Sequence, residues 1–215
     1  MNALCTVIVL AAGMSSRFGG SGHKLTQALE GPGEEHTVLG VTLRNVLASR
    51  LAVVVVASAA VAPLAERLVG AERVLRVAPQ RNRGVGDSIA AGVASQAGAS
   101  GWLVLPGDMP QVRPQTFGSV AEALRTHAVA YAQLRGRRGH PVGFSAELYS
   151  ELVALTGDEG ARRLVARYPA QAVEVDDPGV LQDIDTVEDL ALLRSAQGGQ
   201  GGHAAQKSGE SWRCR

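Results

Sequence analysis

The stretch VIVLAAGMSSRFGGSGHKL, from Val7 to Leu25, runs from a short apolar segment into a loop of small residues that carries two permanent cations, Arg17 and Lys24. Gly13, Gly19, Gly20 and Gly22 let backbone N–H groups approach an anion closely, because no Cβ intrudes. Arg17 offers a fork of donors and Lys24 a compact, mobile charge. Together they suit a polyphosphate. A solvated surface loop is the plainer reading. Its place directly after the first apolar run argues against that, since ligands of parallel α/β sheets bind beyond the carboxyl ends of the strands. Two familiar phosphate loops are excluded. G-x-x-x-x-G-K-[ST] fails because Leu25 follows Lys24, and G-x-G-x-x-G fails because Met14 and Ser15 follow Gly13.

A matching acid stands in WLVLPGDMP. Asp108 follows the apolar run Trp102–Leu105, which puts a carboxylate at the carboxyl edge of a second strand, beside the glycine loop. An acid next to phosphates makes sense with Mg²⁺ between them, because that ion is commonly held by one or two carboxylates, phosphate oxygens and water. Pro-Gly-Asp is also ordinary turn chemistry, and on this segment alone the two readings stand level. In DDPGVLQDIDT, most of Asp176, Asp177, Asp183 and Asp185 read as turn or cap residues. Asp185, where the loop meets the last helix, is the candidate second metal ligand, with Asp183 as the alternative. His140 precedes a proline and is read as a substrate contact or else a turn residue. Arg135, Arg137 and Arg138 form a basic turn, either a solvated hairpin tip or a docking patch for an acceptor phosphate. Of Arg162 and Arg163, at a helix start, one is expected to face the site and the other solvent.

These residues need elements to position them. Cys5–Leu10, Ala52–Ala57, Val74–Ala78, Trp102–Leu105 and Val129–Gln133 are short apolar runs that suit buried strands. Ala60–Val69, Ser88–Ala97, Pro114–Thr126 and Ala161–Tyr168 space their apolar residues as helices do. Strand then helix, repeated, predicts an α/β fold: a single three-layer, Rossmann-like domain with a mostly parallel sheet and helices on both faces. VAYAQLRGRRGHPVGF reads as strand, basic turn, strand, and Thr186 with Asp189 as the cap of a closing helix. The domain is expected over residues 1–194, and the glycine-rich segment 195–215 as a disordered tail whose His203 makes no metal site. The net charge of +1 over 215 residues gives no reason to expect a nucleic-acid or membrane partner. Two cysteines, Cys5 and Cys214, and no signal-peptide pattern lead to the expectation of a cytoplasmic protein.

The motifs in order resemble a known family. LAAGMSSRFGGSGHK resembles the L-A-A-G-x-S-x-R-x-G…K signature of nucleotidyltransferases that use a nucleoside triphosphate, and LPGDMP resembles their metal-binding G-D-x-P. GRRGHPVGF, GDEGARRL and DDPGVLQDIDTVEDL look like the molybdenum cofactor cytidylyltransferases of the MobA-like NTP transferase superfamily and their guanylyl relatives. The resemblance implies transfer of CMP from CTP to the terminal phosphate of molybdopterin, with release of pyrophosphate and Mg²⁺ as cofactor. It implies Leu10, Ala11, Ala12 and Gly13 against the nucleotide, and Arg17 and Lys24 against its phosphates. It implies Asp108 on the metal, and a base pocket formed by QRNRGVGDSIAAG through Asn82 and Ser88; Asp87, just before Ser88, is a departure expected to alter that pocket. His140 would face the pterin. Arg17, Lys24 and Asp108 form the implied catalytic set, and an apo-molybdoenzyme of the xanthine dehydrogenase type is the implied recipient. Here the spacing from Arg17 to Lys24 is a residue or two longer than usual, and His23 stands where an acidic or amide residue is common. The alternatives are a guanylyl or sugar/polyol-phosphate nucleotidyltransferase, and a non-catalytic cofactor chaperone.

Overall fold

The computed structural model describes residues 5–13, 18, 22–78 and 84–198. Arg17, Asn82 and the chain from residue 199 onward, with His203 and Cys214, lie outside the described residues. Each apolar run forms a strand: β1 (Thr6–Ala11), β2 (Ala52–Ala57), β3 (Val74–Arg76), β4 (Gly101–Pro106) and β5 (Val129–Leu134). β6 (Arg137–Ser145) and β7 (Ala170–Glu174) complete one sheet in the order β3-β2-β1-β4-β6-β5-β7. Among these strands only β6 is antiparallel to its neighbours. Val104 of β4 faces Val142 of β6, so the first residues of β6 sit at the same rim as the carboxyl ends of the parallel strands.

Side chains alternate across the sheet, as the pleat requires. Val7, Val9, Leu103 and Leu105 point to a core shared with α1 (Val38–Ala48), α2 (Ala62–Val69) and α4 (Pro114–Ala123). Ile8, Val54, Val56, Trp102 and Val104 point to the other face. That face is covered by α3 (Val85–Ser95), α5 (Tyr149–Val153) and α6 (Arg162–Arg167). The result is the three-layer α/β arrangement expected. α1 went unmarked in the sequence because its first turns are apolar nearly all round: Val38, Leu39, Val41 and Leu43 are buried, and the polar Arg44 and Asn45 come only in its second half. Thr37 caps it, accepting from the Gly40 N–H at 3.1 Å.

Some expected bounds shift. α3 begins at Val85 rather than Ser88, and β3 stops at Arg76. The closing helix α7 (Val187–Gly198) runs past residue 194, so the first residues assigned to the tail are helical. A tether explains this: the Arg194 guanidinium donates to the Ala28 carbonyl at 2.9 Å and holds the last turns against the body of the protein. The Thr186–Asp189 cap forms as expected, each residue's side chain accepting from the other's N–H. No described helix is long and apolar enough to cross a membrane.

Candidate active site

Asp108 is fixed by backbone contacts from three directions. Gly107 N–H donates to the Leu10 carbonyl at 2.9 Å, tying the loop after β4 to the end of β1. The Gly107 carbonyl accepts from Thr42 Oγ1 of α1 at 3.0 Å. The Asp108 carbonyl accepts from Ile184 N–H at 3.0 Å. A Cβ on Gly107 would stand 3.0 Å from the Leu10 carbonyl oxygen, so the glycine of Pro-Gly-Asp serves a close approach rather than a strained turn. The Ile184 contact delivers Asp185 to the same place. Lys24 Nζ contacts Asp108 Oδ2 directly and lies 3.0 Å from Asp185 Oδ1.

Lys24 thus reaches both acids despite the longer loop. Its short 3-10 turn, Lys24–Thr26, is capped by His23, the residue that departs from the family pattern. His23 Nδ1 accepts from the Leu25 N–H at 3.3 Å, so Nε2 carries the proton and donates to the Gly13 carbonyl at 2.8 Å. One imidazole therefore ties the exit of β1 to the lysine turn. Burial pulls the Lys24 ammonium down, but the charges and hydrogen bonds of Asp108 and Asp185 outweigh it and hold its pKa above the ordinary lysine value. Lys24 is a cation throughout the neutral range.

Asp108 has capacity to spare. Asp108 Oδ1 is buried and has no hydrogen-bond partner, an arrangement that costs free energy unless something else occupies that lone pair. No group of three or more His, Cys, Asp or Glu is assembled among the described residues. One orphaned carboxylate oxygen beside a second acid fits a Mg²⁺-type ion, which takes its other ligands from phosphates and water. It does not fit a closed structural metal site.

Beside this cluster, on the α3 and α6 side of the sheet, opens a pocket of about 430 Å³. Leu10, Ile89, Val104 and Phe144 give it an apolar floor; Arg138, His140 and Arg162 supply its basic groups, and Asp158 and Glu159 its acidic ones. His140 is placed here by the antiparallel entry of β6. Its Nδ1 is buried and without a partner.

Residues 7–173 match the model of the MobA-like NTP transferase domain. The chain belongs to that family. The MobA-like chain is 32% identical over 202 residues to the purine catabolism protein PucB of Bacillus subtilis, covering 88% of this chain and 95% of the relative. Rv0371c of Mycobacterium tuberculosis superposes with a TM-score of 0.73 at 29% identity, over 89% of this chain and 98% of that one. A nucleotidyl transferase from Methanothermobacter superposes at 0.75 with 25% identity, over 92% and 99% of the two chains. Rv0371c has also been crystallised with manganese.

Within this MobA-like site, Ala11 and Ala12 are buried at the end of β1, and Gly13 is exposed with open space around it. Ser88 is buried in the first turns of α3. Of the three arginines of the β5–β6 turn, Arg138 lines the pocket while its guanidinium lies 5.6 Å over the Tyr131 ring. Arg162 lines the pocket and Arg163 turns out to pair with Glu159, the split expected for that pair.

The four aspartates near the carboxyl end separate cleanly. Asp177 is 2% exposed and fully engaged. Its Oδ2 accepts from the Arg113 N–H at 2.8 Å and from Thr116 Oγ1 at 2.6 Å, and its Oδ1 from the Gly179 N–H at 3.0 Å. It staples the start of α4 to the 178–181 turn. Asp177→Ala would leave those donors buried and unmatched, and is expected to cost about 3 kcal/mol of stability. The urea midpoint of the variant checks this, with activity per folded molecule unchanged.

Burial drives the His140 pKa below the ordinary histidine value, against a hydrogen bond with the Val104 backbone and the negative charges of Asp108 and Asp183. The folded protein therefore binds this proton less readily than the unfolded chain. The stability contributed by neutral His140 is present above the unfolded value of 6.5 and is lost as pH falls from there toward the folded value. The urea midpoint is expected to fall more steeply between about pH 7 and about pH 5 in the wild type than in His140→Gln.

Several contributors were invisible in the sequence. Thr42 and Ile184 hold the Asp108 loop through contacts distant in the chain. Asp87, the residue expected to alter the base pocket, turns its carboxylate to another segment: Oδ2 accepts from the Gly157 N–H at 2.9 Å.

Proposed function

We propose that this protein transfers CMP from CTP to the terminal phosphate of a molybdopterin-type cofactor and releases pyrophosphate. The observation that carries the reading is the meeting of Lys24, Asp108 and Asp185 at one rim, next to a pocket with an apolar floor and Arg138, Arg162, Asp158 and Glu159 at its edges. The floor suits a flat ring system, and Arg138, Arg162 and His140 suit the anionic end of an acceptor.

The acceptor phosphate is ionised at neutral pH and needs no strong base. The obstacle is bringing one anion against another. Like charges at ~4 Å repel by roughly 4 kcal/mol at an effective dielectric of ~20. Catalysis is then positioning and neutralisation, as in phosphoryl transfer generally. Asp108 and Asp185 are the residues that would hold Mg²⁺, which supplies positive charge at the phosphates when bound. Lys24 exchanges its carboxylate partners for phosphate oxygens and stabilises charge on the departing pyrophosphate. Arg17 serves the same phosphates from the glycine loop. Leu10, Ala11, Ala12 and Gly13 seat the nucleotide, Asn82 and Ser88 contact its base, and His140, neutral by virtue of its burial, holds the acceptor. The name of the Bacillus relative places that protein in purine catabolism, which supports an apo-molybdoenzyme of the xanthine dehydrogenase type as recipient.

Incubation with each of the four ribonucleoside triphosphates, Mg²⁺ and molybdopterin, followed by pyrophosphate measurement, tests the reading. Release with CTP well above the others is expected. Release with GTP in its place moves the protein to the guanylyl alternative. Tight molybdopterin binding with no release under any triphosphate makes it a carrier.

A further inference from the structure

The first turn of α3 and the loop ahead of α6 are joined by a two-way latch. The Gly86 N–H donates to the Gly157 carbonyl at 2.8 Å, and the Gly157 N–H donates to Asp87 Oδ2 at 2.9 Å. The contact has no slack, since a Cβ on Gly84 would sit 2.3 Å from the Gly157 carbonyl carbon. Both halves of the latch continue into the walls of the 430 Å³ pocket: Val85 and Ile89 on the helix side, Asp158 through Arg162 on the loop side.

An acid in the first turn of a helix is ordinarily explained by the helix dipole. Here the carboxylate is engaged by a different segment. Between Val153 and Arg162 the chain has no helix or strand, so no ladder of its own fixes it. Besides the Gly86 bond and the packing of Leu155 and Ala161, it is anchored to the rest of the domain by this charge-assisted bond, roughly twice as strong as a neutral one. Ser88, the neighbour of Asp87, is a base contact under the proposed function, and Arg162 begins the helix that follows the anchored loop.

We infer that Asp87 is a positioning residue that sets the acceptor-side wall, Asp158 to Arg162, from the nucleotide-side helix α3. This rests on the reading of the pocket as the acceptor site. Acceptor affinity then depends on a side chain that touches neither substrate, because a wall displaced by about 1 Å misplaces the groups on it.

Hydrogen exchange and steady-state kinetics of Asp87→Ala and Asp87→Asn test this. In the protein without ligands, Asp87→Ala is expected to speed amide exchange over 154–162 by about tenfold or more, with α4 unaffected. Asp87→Asn, whose carbonyl can still accept from Gly157, should stay within about threefold of wild type. With CTP, Mg²⁺ and molybdopterin, the KM for molybdopterin should rise about tenfold in Asp87→Ala, with kcat and the KM for CTP within about threefold, and Asp87→Asn should recover it. Unchanged exchange in Asp87→Ala overturns the latch, as does an Asn variant no better than Ala. A rise in the KM for CTP alone overturns the assignment to the acceptor side. Exchange needs no substrate, so it decides the latch even if no triphosphate yields pyrophosphate and the transfer reading fails. If Asp87→Ala does not fold, the wild-type Gly157 amide decides: protection supports the latch and free exchange overturns it.

Discussion

Asp108→Ala is expected to lower kcat by about 10³-fold or more, while the protein stays folded. The side chain is buried but not structural in the way Asp177 is: Oδ1 has no hydrogen-bond partner, and Oδ2 meets Lys24. The loop is held by the backbone of Gly107 and Asp108, which alanine retains. Lys24 keeps Asp185 as a partner, so no buried cation is stranded. What disappears is the carboxylate with unused coordinating capacity. Asp108→Asn, with the same shape and no charge, should be nearly as inactive, since a neutral amide is a weak partner for a hard divalent cation. Pyrophosphate release against Mg²⁺ concentration, alongside thermal melting, separates lost chemistry from lost structure. Normal Mg²⁺-dependent turnover in Asp108→Ala would remove Asp108 from the reaction.

Lys24→Ala should act on both chemistry and stability. Loss of a cation facing the phosphates is expected to cost about 2–4 kcal/mol of transition-state stabilisation, by analogy with the loss of an oxyanion donor. In the protein without ligands, Asp108 and Asp185 both touch the one ammonium. Without it two partly buried carboxylates face each other, so the variant should melt at a lower temperature than wild type in the absence of divalent ions. Mg²⁺ should then raise the melting temperature of Lys24→Ala more than that of wild type, because the ion replaces the missing positive charge and binds without displacing an ammonium. An unchanged rate would take Lys24 out of the mechanism. Equal Mg²⁺ responses in the two proteins would mean that the acid pair is not where the ion binds.

The strands and most helices were legible because their signals are local. Buried parallel strands read as short apolar runs, and Val7–Leu10 and Trp102–Leu105 could hardly be anything else. The rim position of Asp108 followed from the same logic, since it comes just after such a run, and that of Lys24 from its place at the far end of the glycine loop that leaves another. α1 escaped notice because its first turns are apolar and buried nearly all round, which blurs the amphipathic period that marks a helix. Asp87 was placed near the base pocket because it neighbours Ser88 in the chain, yet its partner is Gly157, 70 positions away.

Residue types and their order alone determined that this is an alternating α/β domain, and pointed to Lys24 and Asp108 at the exits of its central strands. Asp185 was the favoured one of four nearby aspartates in the sequence, but its contact with Lys24, across 161 positions of sequence, was decided only in three dimensions. The reason is physical: a strand's side-chain pattern is set by its immediate surroundings, whereas a pairing of charges depends on which backbone segments hydrogen-bond to one another. Here the Ile184 N–H on the Asp108 carbonyl, and β6 running against its neighbours, bring Asp185 and His140 to the rim.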